Sequence, residues 1–154
     1  MAKQRGIKTI ADHRKAFHEY HILERFEAGL VLSGTEVKSI RGGRVNLNDS
    51  YAQIKNGELF LIGMHVSPYE QGNRYNPDPM RDRKLLMHKR EISHLYGQIK
   101  QEGLTLIPTK LYFKDGRVKI EIALAKGKKD YDKRQTEIKR TAEKEMAKRL
   151  KHYE

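Results

Sequence analysis

The segment Arg117 to Leu124 constrains the fold more than any other part of the chain. Val118, Ile120, Ile122 and Leu124 alternate with Arg117, Lys119, Glu121 and Ala123. Only an extended backbone puts such a set on one side, because successive strand side chains point to opposite faces. The segment is therefore a half-buried strand, and it needs neighbours along its edges and a core over its apolar face. Asp115–Gly116 before it supplies the two positive-φ residues of a tight turn, which pairs it with Leu104–Lys114. Asn56–Gly57 does the same between Tyr51–Lys55 and Glu58–Val66.

Earlier in the chain a first strand is expected around Tyr20 to Phe26 and a second at Leu30 to Leu32, preceded by a basic, weakly patterned lead-in from Met1 to Lys15 that reads as mobile. Thr35 fits an N-cap: Glu36 follows in the first turn, Val37 and Ile40 share a face, and Arg41 and Gly42 close a short helix. Pro68 to Arg83, with Gly72, Pro77 and Pro79 among polar residues, reads as a long loop. Leu85, Ile92, Leu95, Tyr96 and Ile99 then recur at helical spacing up to Gly103, and Glu91 three places after His88 is a capping arrangement that can break this segment in two. Short antiparallel strands with inserted helices make the chain mainly β, a small closed or partly open barrel of a kind that presents a face to RNA or single strands.

Charge points to the same class of partner. The chain carries a net charge of +12 in 154 residues. From Lys126 to Glu154 there are 11 Lys and Arg against 6 Asp and Glu, a net +5, which leaves +7 for the body. Two cationic parts suggest a polyanion met over a long reach. With 37% hydrophobic and 34% charged residues the chain supports one modest core, placed at residues 1–125, plus a basic tail at residues 126–154. There is no cysteine, hence no disulfide framework or thiolate zinc site, and no signal-like or membrane-spanning apolar run. A cytoplasmic protein, monomeric and without membrane attachment, is expected.

The tail has a thin apolar stripe. Asp132 and Gln135 form a capping pair, after which Ile138, Ala142, Met146 and Leu150 repeat every four residues. Four such side chains do not offset ordering entropy of about 1–2 kcal/mol per residue. The tail is therefore expected to be disordered when free and helical when bound. A helix docked on its own body is the alternative, and it requires an apolar groove.

Basic clusters are the candidate contacts. Arg81, Arg83, Lys84, Lys89 and Arg90 surround a segment that also needs an apolar face, so their cations are expected outside, within reach of phosphates. Lys38, Arg41 and Arg44 add to them, and Gly42–Gly43 fits either close approach to a phosphate or a simple helix cap. An enzyme is the competing class. His18, His21, Glu19 and Glu24 are close in sequence, but strand geometry turns the two histidines to opposite sides, and no second ligand cluster, nucleophile motif or phosphate-cradling loop accompanies them. Neither catalysis nor a metal or cofactor is expected.

Three separated stretches carry a resemblance: FEAGLVLSGTEVKSIRGGRVNLNDSY from Phe26 to Tyr51, RDRKLLMHKREISHLYG from Arg81 to Gly97, and IALAKGKKDYDKR from Ile122 to Arg134. In order and over nearly the whole chain they resemble the SsrA-binding protein family, also called small protein B. The resemblance implies a bacterial OB-like antiparallel β-barrel of about six strands that binds the tRNA-like domain of transfer-messenger RNA. It implies a role in trans-translation, the rescue of ribosomes stalled on messages without a stop codon. By that resemblance Glu27, Leu86 and His88 match positions tied to RNA binding, and Lys126, Gly127, Lys128 and Lys129 match a basic hinge supporting the same RNA. Asp132, Lys133 and Arg134 match the part of the tail that enters the decoding site and continues along the empty message channel. Tyr131 stands where other members often carry histidine, and His13 where they often carry asparagine. Both Tyr131 and a histidine can stack on a nucleobase. No DNA partner is implied. The other reading of the same charge is a general single-strand-binding barrel or a ribosomal protein.

Overall fold

The computed structural model describes residues 6–71 and 76–152. Nine strands and four helices follow in chain order among the described residues: β1 (Ile7–Asp12), α1 (Arg14–Glu19), β2 (Tyr20–Leu30), α2 (Gly34–Arg41), β3 (Val45–Asn46), β4 (Tyr51–Lys55), β5 (Glu58–Ile62), β6 (His65–Val66), β7 (Arg83–Leu86), α3 (Lys89–Glu102), β8 (Thr105–Lys114), β9 (Arg117–Gly127) and α4 (Asp130–His152). The large sheet runs β1-β8-β4-β5-β7-β2-β9, and β9 pairs again with β8. That second pairing closes six strands into an antiparallel barrel and leaves β1 as an added edge. Closure removes the exposed ladders through which sheets aggregate.

The turn residues drive the two hairpins as expected. Asn56 and Gly57 have φ of 51° and 76°, Asp115 and Gly116 of 52° and 79°, and the register runs Lys55↔Glu58 and Lys114↔Arg117. Ile120, Ile122 and Leu124 point into the core with Leu59, Leu61, Leu85, Leu95, Leu106 and Leu111. The strand expected over Glu58–Val66 is broken at Gly63, whose φ is 87° and where a Cβ would stand 3.1 Å from the Asp49 carbonyl oxygen. Beyond the break, β6 leaves the barrel to pair with β3.

Several sequence expectations are corrected. The stretch from Ile7 to Lys15 is no mobile lead-in: β1 pairs with β8, and α1 packs over the barrel wall. Residues 1–5 and Gly72 lie outside the described residues. The packing of α1 buries Ala16 against Ile107 and Ala125, so the outer face of β9 is covered at its far end and the strand continues past Leu124 to Gly127. His13 secures this corner. Its Nδ1 donates to the Pro108 carbonyl at 2.8 Å and its backbone N–H to that of Thr109 at 2.9 Å, beside a β8 register shift where proline has no N–H to offer. The first expected strand runs on as β2 from Tyr20 to Leu30, with a register shift between Ile22 and Glu24, while Val31 and Leu32 of the second expected strand belong to no strand. Leu85 belongs to β7 and not to a helix; the break anticipated at His88 is the N-cap of α3, which ends at Gly103 in the left-handed region, φ 63°.

The cap of α2 is Ser33 rather than Thr35. Its side chain accepts from the Glu36 N–H, and the Glu36 carboxylate accepts from the Ser33 N–H at 3.0 Å, a complete capping box. The same carboxylate also receives Arg83 Nε at 2.7 Å and both Nε and an Nη of Arg81. Arg83 is fully buried, and its remaining N–H groups donate to the carbonyls of Met64 (2.7 Å), Pro79 (3.0 Å) and Arg81 (3.1 Å). Burial works against ionised Glu36, but donation from Arg81, Ser33 and Arg83 outweighs it and holds the carboxyl below its ordinary range. Arg83 is thus a structural cation, not one of the outward-facing ones.

Glu36→Ala should therefore lower stability by about 3–5 kcal/mol in chemical denaturation, because it strands a buried guanidinium. A carboxylate with a lowered folded pKa contributes stability above its unfolded pKa and loses it as pH falls through the folded value. Below about pH 5 the wild type should accordingly lose stability more steeply than Glu36→Gln.

Candidate nucleic-acid interface

On the outward face of β2, Arg25, Glu27 and Gly29 lie opposite Ala123, Glu121 and Lys119 of β9. The other edge of β2 meets β7, with Gly29 opposite Leu86 and Leu30 opposite Leu85. The strand period of two then sorts neighbouring leucines: Leu85 is 1% exposed in the core, and Leu86 is 52% exposed outside. Past Leu86 the chain turns through Met87 and His88 into α3, with Glu91 in its first turn. Glu27, Gly29, Leu86, Met87, His88, Glu91 and Lys119 line one open cleft of about 410 Å³. Three residues singled out by sequence, Glu27, Leu86 and His88, are thereby brought together.

Glu27 is held from below. The Tyr112 hydroxyl donates to its Oε2 at 2.6 Å, and Lys114 Nζ lies 3.3 Å from both carboxylate oxygens. The Tyr112 hydrogen bond, against a desolvation cost and with help from Lys114 and Lys119, lowers the carboxyl below its ordinary range. Glu27 is therefore a fixed anion beside Lys114 and Lys119. Such a group repels phosphate and accepts from N–H or O–H donors, while Lys119 beside it suits the phosphate.

The other expected contacts are spread more widely. Lys38 and Arg41 project from α2 and sit over the rings of Tyr69 (5.4 Å) and Phe113 (5.7 Å), away from the cleft. Lys84 is exposed and pairs with Glu58 at 3.6 Å; Lys89 is exposed on the first turn of α3. At the end of β9, Lys126 is exposed opposite His21, and Gly127 lies opposite Tyr20. Lys128 is engaged within the fold: its N–H donates to Glu19 O at 2.8 Å and its Nζ to Phe17 O at 2.9 Å, closing the end of α1. Lys129 is exposed, and its carbonyl accepts from the Lys133 N–H where α4 begins.

The helix α4 starts at Asp130, two residues before the expected cap, and is formed in the chain by itself. One side rests near α1, where Glu137 Oε1 is 3.6 Å from His18 Nε2 and a shallow groove runs between Arg14, Phe17, Arg140 and Ala147. Ile138 and Met146, 61% and 64% exposed, face solvent, as does Arg134; Lys133 is half-buried. The side chains of Tyr131, Asp132 and Leu150 lie outside the described residues.

Among the described residues no group of three or more His, Asp or Glu is placed to hold a metal, and no helix is long and apolar enough to cross a membrane. Residues 10–152 match the SmpB protein family. The chain belongs to the SmpB family. Among its relatives, an SsrA-binding protein of Carboxydothermus hydrogenoformans is 64% identical over 144 residues, 94% of this chain and 97% of that one. One from Desulforudis audaxviator is 65% identical over 140 residues, 91% of this chain and 92% of that one. A solved structure described as "tmRNA-SmpB: a journey to the center of the bacterial ribosome" shares 49% identity and superposes with a TM-score of 0.65, covering 78% of this chain and 85% of that one.

Sequence reasoning missed Lys119 in this SmpB-family cleft, and Tyr112 and Lys114, which hold its Glu27. The signal was present: Tyr112 and Lys114 share the strand face opposite Leu111, and Lys119 lies on the polar face of β9. What sequence lacked was the register that sets them beside Glu27. The leucine sorting gives a direct check by thermal melting. Leu85→Ala should cost ~2–5 kcal/mol, whereas Leu86→Ala should stay within about 0.5 kcal/mol of wild type.

Proposed function

We propose that this protein binds the tRNA-like domain of transfer-messenger RNA and delivers it to stalled ribosomes for trans-translation, acting without catalysis in the cytoplasm. The observation that carries the reading is the convergence of Glu27, Leu86 and His88 on one open cleft in a chain about two-thirds identical to SsrA-binding proteins. The ionised carboxylate accepts donors from the RNA, the exposed Leu86 offers an apolar contact, and Lys119 and Lys89 meet phosphates. Lys38, Arg41 and Lys84 extend the cationic surface, and Lys126 to Lys129 form a basic collar between barrel and tail.

The division expected between a barrel at 1–125 and a tail at 126–154 serves this function once the boundary is moved past Lys128, where β9 and the bonds to α1 end. Tyr131, Asp132, Lys133 and Arg134 take the decoding site, and the Ile138–Met146–Leu150 stripe packs along the vacated message channel. The exposure of Ile138 and Met146 supports this, since an apolar stripe turned away from its own body lacks a partner in the free chain.

A chain ended after Lys129 keeps β9 and the Lys128 bonds to α1, so it should fold and bind the tRNA-like RNA within a few-fold of wild type. It should fail to support peptide tagging of a stalled nascent chain in a reconstituted translation system. Tagging by the shortened chain would remove the tail from the mechanism. Full-chain binding to the RNA should also weaken sharply with salt: ~6–10 phosphate contacts on duplex DNA cost about 10³–10⁵ in affinity between roughly 50 and 200 mM, and structured RNA should follow less steeply. A flat titration, or equal binding to an unstructured oligonucleotide, would overturn the proposal.

A further inference from the structure

Tyr112 sits where an outward-facing strand residue is rarely found, at 3% exposure. It lies between Thr9 of β1 on one side and Lys119 of β9 on the other, and Lys110 Nζ stands 5.5 Å from the centre of its ring. A phenol walled in this way has one direction for its hydroxyl, and that direction ends on Glu27 Oε2. Directly opposite Glu27 in the β2–β9 ladder is Glu121. Like charges facing one another across strands repel, and an unrestrained pair would splay apart. Each carboxylate is drawn instead to its own hydroxyl on β8: Glu27 to Tyr112, and Glu121 to the Thr109 hydroxyl, which donates at 2.7 Å, with Arg25 3.9 Å away.

We infer that Tyr112 is a positioning residue for RNA recognition: its hydroxyl fixes the Glu27 carboxylate in one orientation, so that the cleft offers a preset acceptor to an N–H or O–H donor of the RNA. The inference rests on the reading of the cleft as the RNA contact. A carboxylate free to rotate would have to be ordered when RNA binds; one already held by a buried phenol loses less freedom, and the difference appears as affinity. Lys114 serves as the counter-charge, reaching both oxygens from the more open side.

Tyr112→Phe keeps the ring and deletes only the hydroxyl. It should weaken binding of a tRNA-like RNA transcript several-fold at neutral pH, with Glu27→Gln weakening it about tenfold or more, as expected for loss of a charged acceptor. In the double variant the two losses should not add, since without the carboxylate there is nothing for the hydroxyl to hold. A pH series supplies a readout that packing alone would not move. Glu27 faces Tyr112 and Lys114 from β8, Lys119 and Glu121 from β9, and His88 and Glu91 across the cleft. The ratio of wild-type to Glu27→Gln affinity isolates the carboxylate from these groups and from the RNA. Tyr112 favours the ionised form, so its loss raises the pKa of Glu27. Measured in the Tyr112→Phe background, the same ratio should begin to fall at a higher pH than in wild type. Equal affinities for Tyr112→Phe and wild type, additive losses in the double variant, or an unmoved acid limb would each overturn the inference while leaving the cleft intact. Wild-type binding by Glu27→Gln would overturn the cleft reading itself.

Discussion

The carboxylate of Glu36 gathers the structure. It is nearly solvent-free, with its side chain 2% exposed, and receives one backbone N–H and two guanidinium groups, from segments almost fifty residues apart in the chain. Arg83, wholly buried, passes the constraint on to the carbonyls of Met64, Pro79 and Arg81. A buried ion pair contributes little net stability relative to a well-packed apolar substitute, because desolvation cancels most of the attraction. Its value is in geometry. A guanidinium has five donors in a rigid fork, and placing four of them on fixed acceptors leaves few alternatives for where the chain can run. The long segment entering β7 is fixed at one point, and the register Leu59↔Leu85 and Gly29↔Leu86 follows.

That register makes the cleft. Slipping β7 by one residue would turn Leu86 inward and Leu85 outward, moving the apolar contact out of the cleft while exposing a core side chain. The cleft draws on β2, β7, β9 and the start of α3, and its three strands are brought together by the β2–β7 and β2–β9 pairings. Its floor lies on the same ladder: Tyr112 reaches Glu27 from β8, with β9 between their strands. A rigid, mostly preformed acceptor surface is the arrangement that recognises a folded RNA shape with the least ordering on contact.

Local chemistry was legible and long-range chemistry was not. The two turn dipeptides, the break at His88, the Gly103 terminus and the alternation of β9 are all decided within a few residues, and each can be read directly. The strand β7 is four residues long and contains Leu85, whose spacing to Ile92 and Leu95 also fits a helix; pairing with β2 and β5 settles the choice, and no local pattern encodes that. Ile7–Asp12 has no strong alternation and becomes a strand because β8 offers it an edge. Arg83 looks like its exposed neighbours until Glu36, forty-seven positions away, claims it. In the cleft, Glu27, Leu86 and His88 came from family resemblance, while Tyr112 and Lys114 needed the three-dimensional register.

The tail shows how a fold can hold a segment at its root and leave the rest to move. At the root, Lys128 makes two bonds to α1 through its backbone and its ammonium, and these are part of the body. Farther along, α4 meets α1 mainly through the pair of half-buried His18 and exposed Glu137 and a shallow groove, and surface pairs of this kind are worth about 0–1 kcal/mol. The helix itself is sustained by its own sequence, in which Glu145 and Arg149 stand at i,i+4 in the favoured order. Helical structure and docking on the body are thus nearly independent. A preformed or readily formed helix can leave α1 at small cost and turn its apolar stripe toward a new wall, while the Lys128 anchor keeps the barrel and its cleft in place.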